Sequence, residues 1–121
     1  MIQHVAMVAM VLLASGAAAQ ECTPIRFKAG ESGALVDGVL PPEEGPNAGG
    51  PDCYSLDVRK GQPISVEVVG GSENVVISVL DVGDARRRFD FRAPSSRVEF
   101  IVFQLSRSAR EADYSLLVQA N

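Results

Sequence analysis

The chain has 121 residues with 15 acidic and 11 basic side chains, a formal net charge of -4. That balance lacks the cationic surplus that phosphate backbones select, so nucleic acid is excluded as a partner. One histidine, His4, and two cysteines, Cys22 and Cys53, leave little for imidazole or thiolate chemistry.

In chain order, residues 1–19 read as an export signal. An apolar run from Val5 to Ala14 leads into small residues and an Ala17-Ala18-Ala19 cleavage pattern, although no Lys or Arg precedes it. The run is shorter than the ~20 residues that a helix needs to cross a bilayer. A lipid anchor on Cys22 is disfavoured because Glu21, not a small residue, precedes it. The expected product is one exported domain, residues 20–121, periplasmic or secreted, with no membrane insertion after cleavage.

Removing the signal takes away His4, so a Ser-His-Asp or Cys-His arrangement has no base. Zinc and copper sites lose their favoured ligands. A paired-carboxylate glycosidase needs a substrate cleft that a domain of about a hundred residues rarely provides. The chain is therefore expected not to be an enzyme and to need no cofactor. In an oxidising compartment Cys22 and Cys53 most simply pair, since no Cys-x-x-Cys spacing poises them for redox work. The bridge closes a loop of roughly 30 residues, contributing about 3 to 4 kcal/mol by chain entropy.

From Gln20 onwards, short runs rich in Val, Ile, Phe and Leu alternate with polar residues and stop at Gly, Pro, Asn or Asp. This predicts an all-β fold, an antiparallel β-sandwich (jelly-roll-like) of about eight strands. The strands are expected at Pro24 to Lys28, Ala34 to Leu40, Cys53 to Arg59, Pro63 to Val69, Val75 to Asp81, Arg87 to Arg92, Arg97 to Leu105 and Asp113 to Gln119. Ile64, Val66 and Val68, with Ser65 and Glu67 between them, mark one wet and one buried face. The almost continuous apolar run from Val75 to Leu80 predicts a strand covered on both sides.

Between the strands, Pro41 to Pro51 holds four prolines and three glycines and is expected to form a long, mobile loop without ladder or helix. Ser106 to Ala112 is a polar connection with room for one helical turn. Asp81-Val82-Gly83-Asp84 has some calcium-loop character but falls short of the EF-hand pattern and is taken as a hairpin turn. Arg86-Arg87-Arg88, followed by Phe89, Asp90, Phe91 and Arg92, predicts an exposed strand whose charges guard a sheet edge. Charge is lopsided: residues 20–84 hold eleven acidic and four basic residues, residues 85–121 four acidic and seven basic.

The order Ile25-Arg26-Phe27-Lys28-Ala29-Gly30, then Ser32 to Val39, then Tyr54-Ser55-Leu56-Asp57-Val58-Arg59-Lys60-Gly61-Gln62 resembles the periplasmic inhibitors of g-type lysozyme. Their broader kin are pre-peptidase C-terminal domains. The resemblance spans nearly the whole mature chain. It implies a β-sandwich that pushes loops into a lysozyme cleft, with g-type lysozyme the favoured partner and c-type or i-type the alternatives.

A Ser-Gly-x-Tyr motif of that family falls here on Ser95-Ser96-Arg97-Val98, which keeps only the serine, and a second loop falls on Ser108-Ala109-Arg110. Such an inhibitor needs polar groups on a preorganised loop that can satisfy catalytic carboxylates. Guanidinium and hydroxyl groups suit that task, which singles out Ser95, Ser96, Arg97 and Arg110. The departures at Ser96 and Val98 also fit a rival, a pre-peptidase-like sandwich that binds or builds in the cell envelope without inhibiting. Whether the sandwich forms a homodimer is left open by the sequence.

Overall fold

The structure, a computed structural model, describes residues 21–121. The expected export signal lies outside the described residues. Nine strands follow in chain order: β1 (Thr23–Pro24), β2 (Gly33–Leu40), β3 (Asp52–Asp57), β4 (Pro63–Gly71), β5 (Val75–Val79), β6 (Gly83–Arg86), β7 (Arg88–Arg92), β8 (Arg97–Gln104) and β9 (Ala112–Ala120). They form two sheets, one ordered β1-β3-β8-β5-β6 and the other β2-β9-β4-β7. Every pairing is antiparallel except β1 with β3.

Period-two alternation decides which side chains meet. Ile64, Val66 and Val68 of β4 and Tyr114, Leu116 and Val118 of β9 project from one sheet. Tyr54 and Leu56 of β3, Val98, Phe100 and Val102 of β8, and Val75, Ile77 and Val79 of β5 project from the other. The two sets close into one core, the packing that gives a sandwich most of its stability. Val76 is buried too, from the opposite face of β5, as expected for a strand covered on both sides.

The disulfide forms between Cys22 and Cys53, whose Cα atoms are 4.5 Å apart, and it fastens the start of the domain to β3. At the other margin the arginine run guards an edge as its composition predicts. Arg88 donates to Asp90 and Glu67, and its bonds hold the Asp90 carboxyl below the usual carboxylate range. Arg86 lies over the Phe89 ring at 5.3 Å from its centroid.

The structure departs from the expected strands in two places. The first strand is only Thr23–Pro24 instead of Pro24 to Lys28, because the chain turns its Ile25 and Phe27 side chains onto the core after one last bond from Ile25 N–H to the Ser55 carbonyl. A ninth strand, β6, takes up Gly83–Arg86, four residues without apolar alternation that pair with β5 after a hairpin turn. The Asp81 to Asp84 segment is thus the hairpin expected. Ser106 to Ala112 shows bends and no helical turn.

Antiparallel succession sorts the connections onto two ends of the sandwich. The 59–62, 80–82 and 93–96 turns share one end, here the turn end. The 41–51, 72–74 and 105–111 segments share the other, the loop end.

Candidate functional site

Ser95, Ser96 and Arg97 sit at the turn end, where β7 gives way to β8. Ser95 Oγ donates to the Arg97 carbonyl (2.9 Å) and accepts from Arg97 N–H (3.4 Å), so this hydroxyl is used up inside its own turn. The Ser96 carbonyl accepts from Val58 N–H at 3.0 Å. Arg97 Nε pairs with Glu99 at 3.0 Å on the outer face of the five-stranded sheet. Val98, at the position of the motif's tyrosine, points the other way and is 2 % exposed in the core. The Ser96 hydroxyl and the Nη groups of the half-exposed Arg97 are the bonding capacity this turn leaves unspent.

Arg110 stands at the opposite end. β8 lies between it and Arg97, and its seven steps from Arg97 to Gln104 span about 24 Å at ~3.4 Å per residue, so the four candidates do not form one cluster. Its surroundings are built from the buried Gln104, whose side-chain amide donates to the Pro41 carbonyl (3.3 Å) and the Arg110 carbonyl (3.1 Å). Asn74 Nδ2 donates to Gln104 Oε1 (2.9 Å) and to the Ser106 carbonyl (2.8 Å), while Ser106 N–H donates back to Asn74 Oδ1 (2.9 Å). Ser108 Oγ accepts from Arg110 N–H at 3.0 Å.

Two loops are thereby joined. The Ser108 carbonyl accepts from Glu43 N–H (2.8 Å) and Glu44 N–H (3.3 Å), and Gly49 N–H returns to the Pro42 carbonyl (2.9 Å). A Cβ on Gly49 would press into the Pro41 ring, so only glycine lets the loop fold back this tightly. The Pro41 to Pro51 segment, expected to be mobile, is instead folded on itself and bonded to the 105–111 loop. Among the described residues the guanidinium groups of Arg107 and Arg110 make no ion pair or hydrogen bond, and both side chains are exposed on this fixed platform. Glu43, Glu44, Glu73 and Glu111 belong to the segments of the same end, so the loop end carries both signs of charge.

Beneath the platform the sheets are tied through three side chains. Tyr114 donates to Asp52 Oδ2, which leaves its oxygen to accept from Tyr54 at 2.6 Å, a chain running Tyr54 to Tyr114 to Asp52. Burial pushes both phenols above the ordinary tyrosine value, and the bond to Asp52 adds to the rise at Tyr114. A Cβ at Gly38, which lies opposite Tyr114, would overlap its hydroxyl. Among the described residues no group of three or more His, Cys, Asp or Glu side chains is gathered for a metal ion.

This arrangement of strands and loops has close counterparts among solved structures. The periplasmic inhibitor of g-type lysozyme PliG from Aeromonas hydrophila superposes with a TM-score of 0.65 at 24% identity, over 83% of this chain and 96% of that one. The Salmonella Typhimurium PliG gives 0.63 at 21% identity, over 85% and 100%. A mutant of the Escherichia coli protein gives 0.61 at 19%, with the same coverage. The chain has the fold of these inhibitors. No protein-family model matches it, and no curated protein sequence does.

The PliG fold likeness spans both sheets and both ends of the sandwich. Sequence reasoning singled out Arg110 and passed over Gln104, Asn74 and the contact from Glu43 and Glu44, which bond the backbone around it. Nothing local in the sequence signals these, since Asn74 and Gln104 lie 30 residues apart and meet only once β5 pairs with β8.

Proposed function

We propose that this protein is a periplasmic inhibitor of g-type lysozyme that works by steric and electrostatic blockade, with no catalysis of its own. The observation that carries the proposal is the fixed platform at the loop end, on a sandwich with the fold of PliG, bearing Arg110 and Arg107 with unspent guanidinium groups. Glycoside hydrolases of the paired-carboxylate kind hold their acidic groups at the floor of a cleft. A guanidinium offers such a carboxylate planar bidentate bonding. A loop already ordered before binding avoids much of the ordering cost of association.

Within this reading Arg110 is the principal contact, Arg107 its neighbour, and Ser95, Ser96 and Arg97 are secondary contacts at the far end. Titration of residues 20–121 into g-type, c-type and i-type lysozymes, followed by lysis of peptidoglycan, tests it. Inhibition of the g-type enzyme at micromolar concentration is expected. Unimpeded lysis by all three would overturn the proposal.

A second reading is supported by one observation: Val98 is buried and Ser95 is bonded within its own turn, so neither end of the motif is offered to a partner. That favours a pre-peptidase-like envelope module that keeps the sandwich without inhibiting. Absence of inhibition together with retention on isolated cell envelopes is its signature.

A further inference from the structure

The outer face of the five-stranded sheet holds a cavity that lies outside both the core and the loop end. Tyr54 of β3, Phe100 and Val102 of β8, and Ile77 and Val79 of β5 point into the core. Side chains alternate along a strand, so Cys53, Glu99, Ile101 and Ser78 point outwards. Register sets Cys53, Ile101 and Ser78 side by side across β3, β8 and β5. Leu80 follows on the same face, its N–H donating to the Glu99 carbonyl at 3.0 Å, and it is 62 % exposed. With the Cys22–Cys53 bridge these side chains line a cavity of about 510 Å³.

The hairpin between β5 and β6 forms one wall. Ser78 Oγ accepts from Ala85 N–H at 2.9 Å, which pins the returning strand to the floor, and Asp81 turns the chain with a φ of 66°. Asp81 and Asp84 both line the cavity. Among the described residues neither carboxylate has an ion pair or a side-chain hydrogen bond. Glu99 lines it too, but one of its oxygens accepts from Arg97 Nε at 3.0 Å. No Lys or Arg among the described residues lines the cavity. Arg86, next along the hairpin, lies instead over the Phe89 ring.

We propose that this cavity binds a small organic cation with an apolar body. Its ammonium group is held between Asp81 and Asp84, and its hydrocarbon rests on Ile101, Leu80 and the disulfide. Cavities of several hundred Å³ with an apolar lining and a few polar groups at the margin are the usual form of small-molecule sites. Burial of hydrocarbon supplies the affinity. Walls of a single charge then select the ligand's sign. An anion of the same shape meets two carboxylates with no cation to offset them. The 80–82 turn belongs to the end of the sandwich opposite Arg110, so this site stands whether or not the loop end inhibits lysozyme.

The test is a pair of titrations of residues 20–121, which carry both sheets, followed by amide chemical shifts in nuclear magnetic resonance. The probes are n-octylammonium and n-octanoate, each kept below its micelle-forming concentration. Saturable shifts at Leu80, Asp84 and Ile101 are expected, with the cation bound about tenfold more tightly than the anion because the same carboxylates attract one and repel the other. In the double variant Asp81→Asn, Asp84→Asn this preference should fall to about twofold or less. Asparagine tolerates the left-handed φ at position 81, so the hairpin is kept. Leu80→Ser should weaken both probes at least about fivefold without changing their ratio, since it removes apolar wall and no charge. The proposal is overturned if no saturable shift appears at those amides, if shifts at the exposed Leu35 and Val39 are equally large, or if the two probes bind alike. A preference unchanged in the double variant overturns it as well. Should that variant fail to fold by circular dichroism, the wild-type preference and the effect of L80S decide.

Discussion

Replacing Gln104 with leucine removes the side chain that fastens the loop end. Gln104 is 4 % exposed and makes three hydrogen bonds, to the Pro41 and Arg110 carbonyls and from Asn74. A neutral hydrogen bond contributes about 1 kcal/mol net, and a buried partner left bare costs somewhat more. Asn74 keeps its bond to the Ser106 carbonyl, and the leucine gains apolar burial, which offsets part of the loss. The expected loss is about 2 to 3 kcal/mol. With a urea slope of about 1 to 3 kcal/mol per molar, the unfolding midpoint should fall by about 0.7 to 3 M. The amides of Glu43 and Glu44, which rest on the Ser108 carbonyl, should exchange hydrogen faster in the same variant. A midpoint lowered by less than about 0.3 M with unchanged exchange at both amides would refute the idea that Gln104 holds the two loops together.

Other perturbations probe other links. Changing Cys22 and Cys53 together to alanine should lower stability by about 3 to 4 kcal/mol, read by denaturant titration, because the bridge spans 31 positions of chain. Burial raises the Tyr54 and Tyr114 phenols, so the unfolded chain releases protons near pH 10 that the folded chain retains. Their contribution is complete below that pH and fades as pH climbs towards the folded-state values, by about 1.4 kcal/mol per pH unit for each phenol. Tyr114→Phe should halve this alkaline slope in thermal melts at graded pH; an unaltered slope would remove the tyrosine pair from the account. Gly38→Ala should cost about 1 to 3 kcal/mol through overpacking against Tyr114, and a melting temperature equal to wild type would show that the ring can move aside.

Much of the fold was legible because side chains report their own burial. Ile64, Val66 and Val68 alternate with polar neighbours, and β4 follows them; the Arg88 run marks an edge, and β7 is one. β6 was not legible, since Gly83–Arg86 is held by its pairing with β5 and contributes no apolar face of its own. The site divides in the same way. Arg110 could be chosen for its charge, but the order of the platform beneath it comes from Gln104, Asn74 and the backbone of Glu43 and Glu44, contacts between distant segments that no local pattern encodes. Ser95 and Arg97 had suitable chemistry too, yet the Ser95 hydroxyl is engaged within its own turn and Arg97 Nε is paired along its own strand.

The most direct test of the proposed blockade is the inhibition constant of residues 20–121 against g-type lysozyme, measured beside those of Arg110→Ala and Arg97→Ala. Loss of a central contact in an interface typically costs 2 kcal/mol or more, so R110A should weaken inhibition by about tenfold or more while R97A leaves it nearly unchanged. Equal inhibition by wild type and R110A would move the contact away from the loop end, and lysis proceeding at full rate with wild type present would contradict the account altogether.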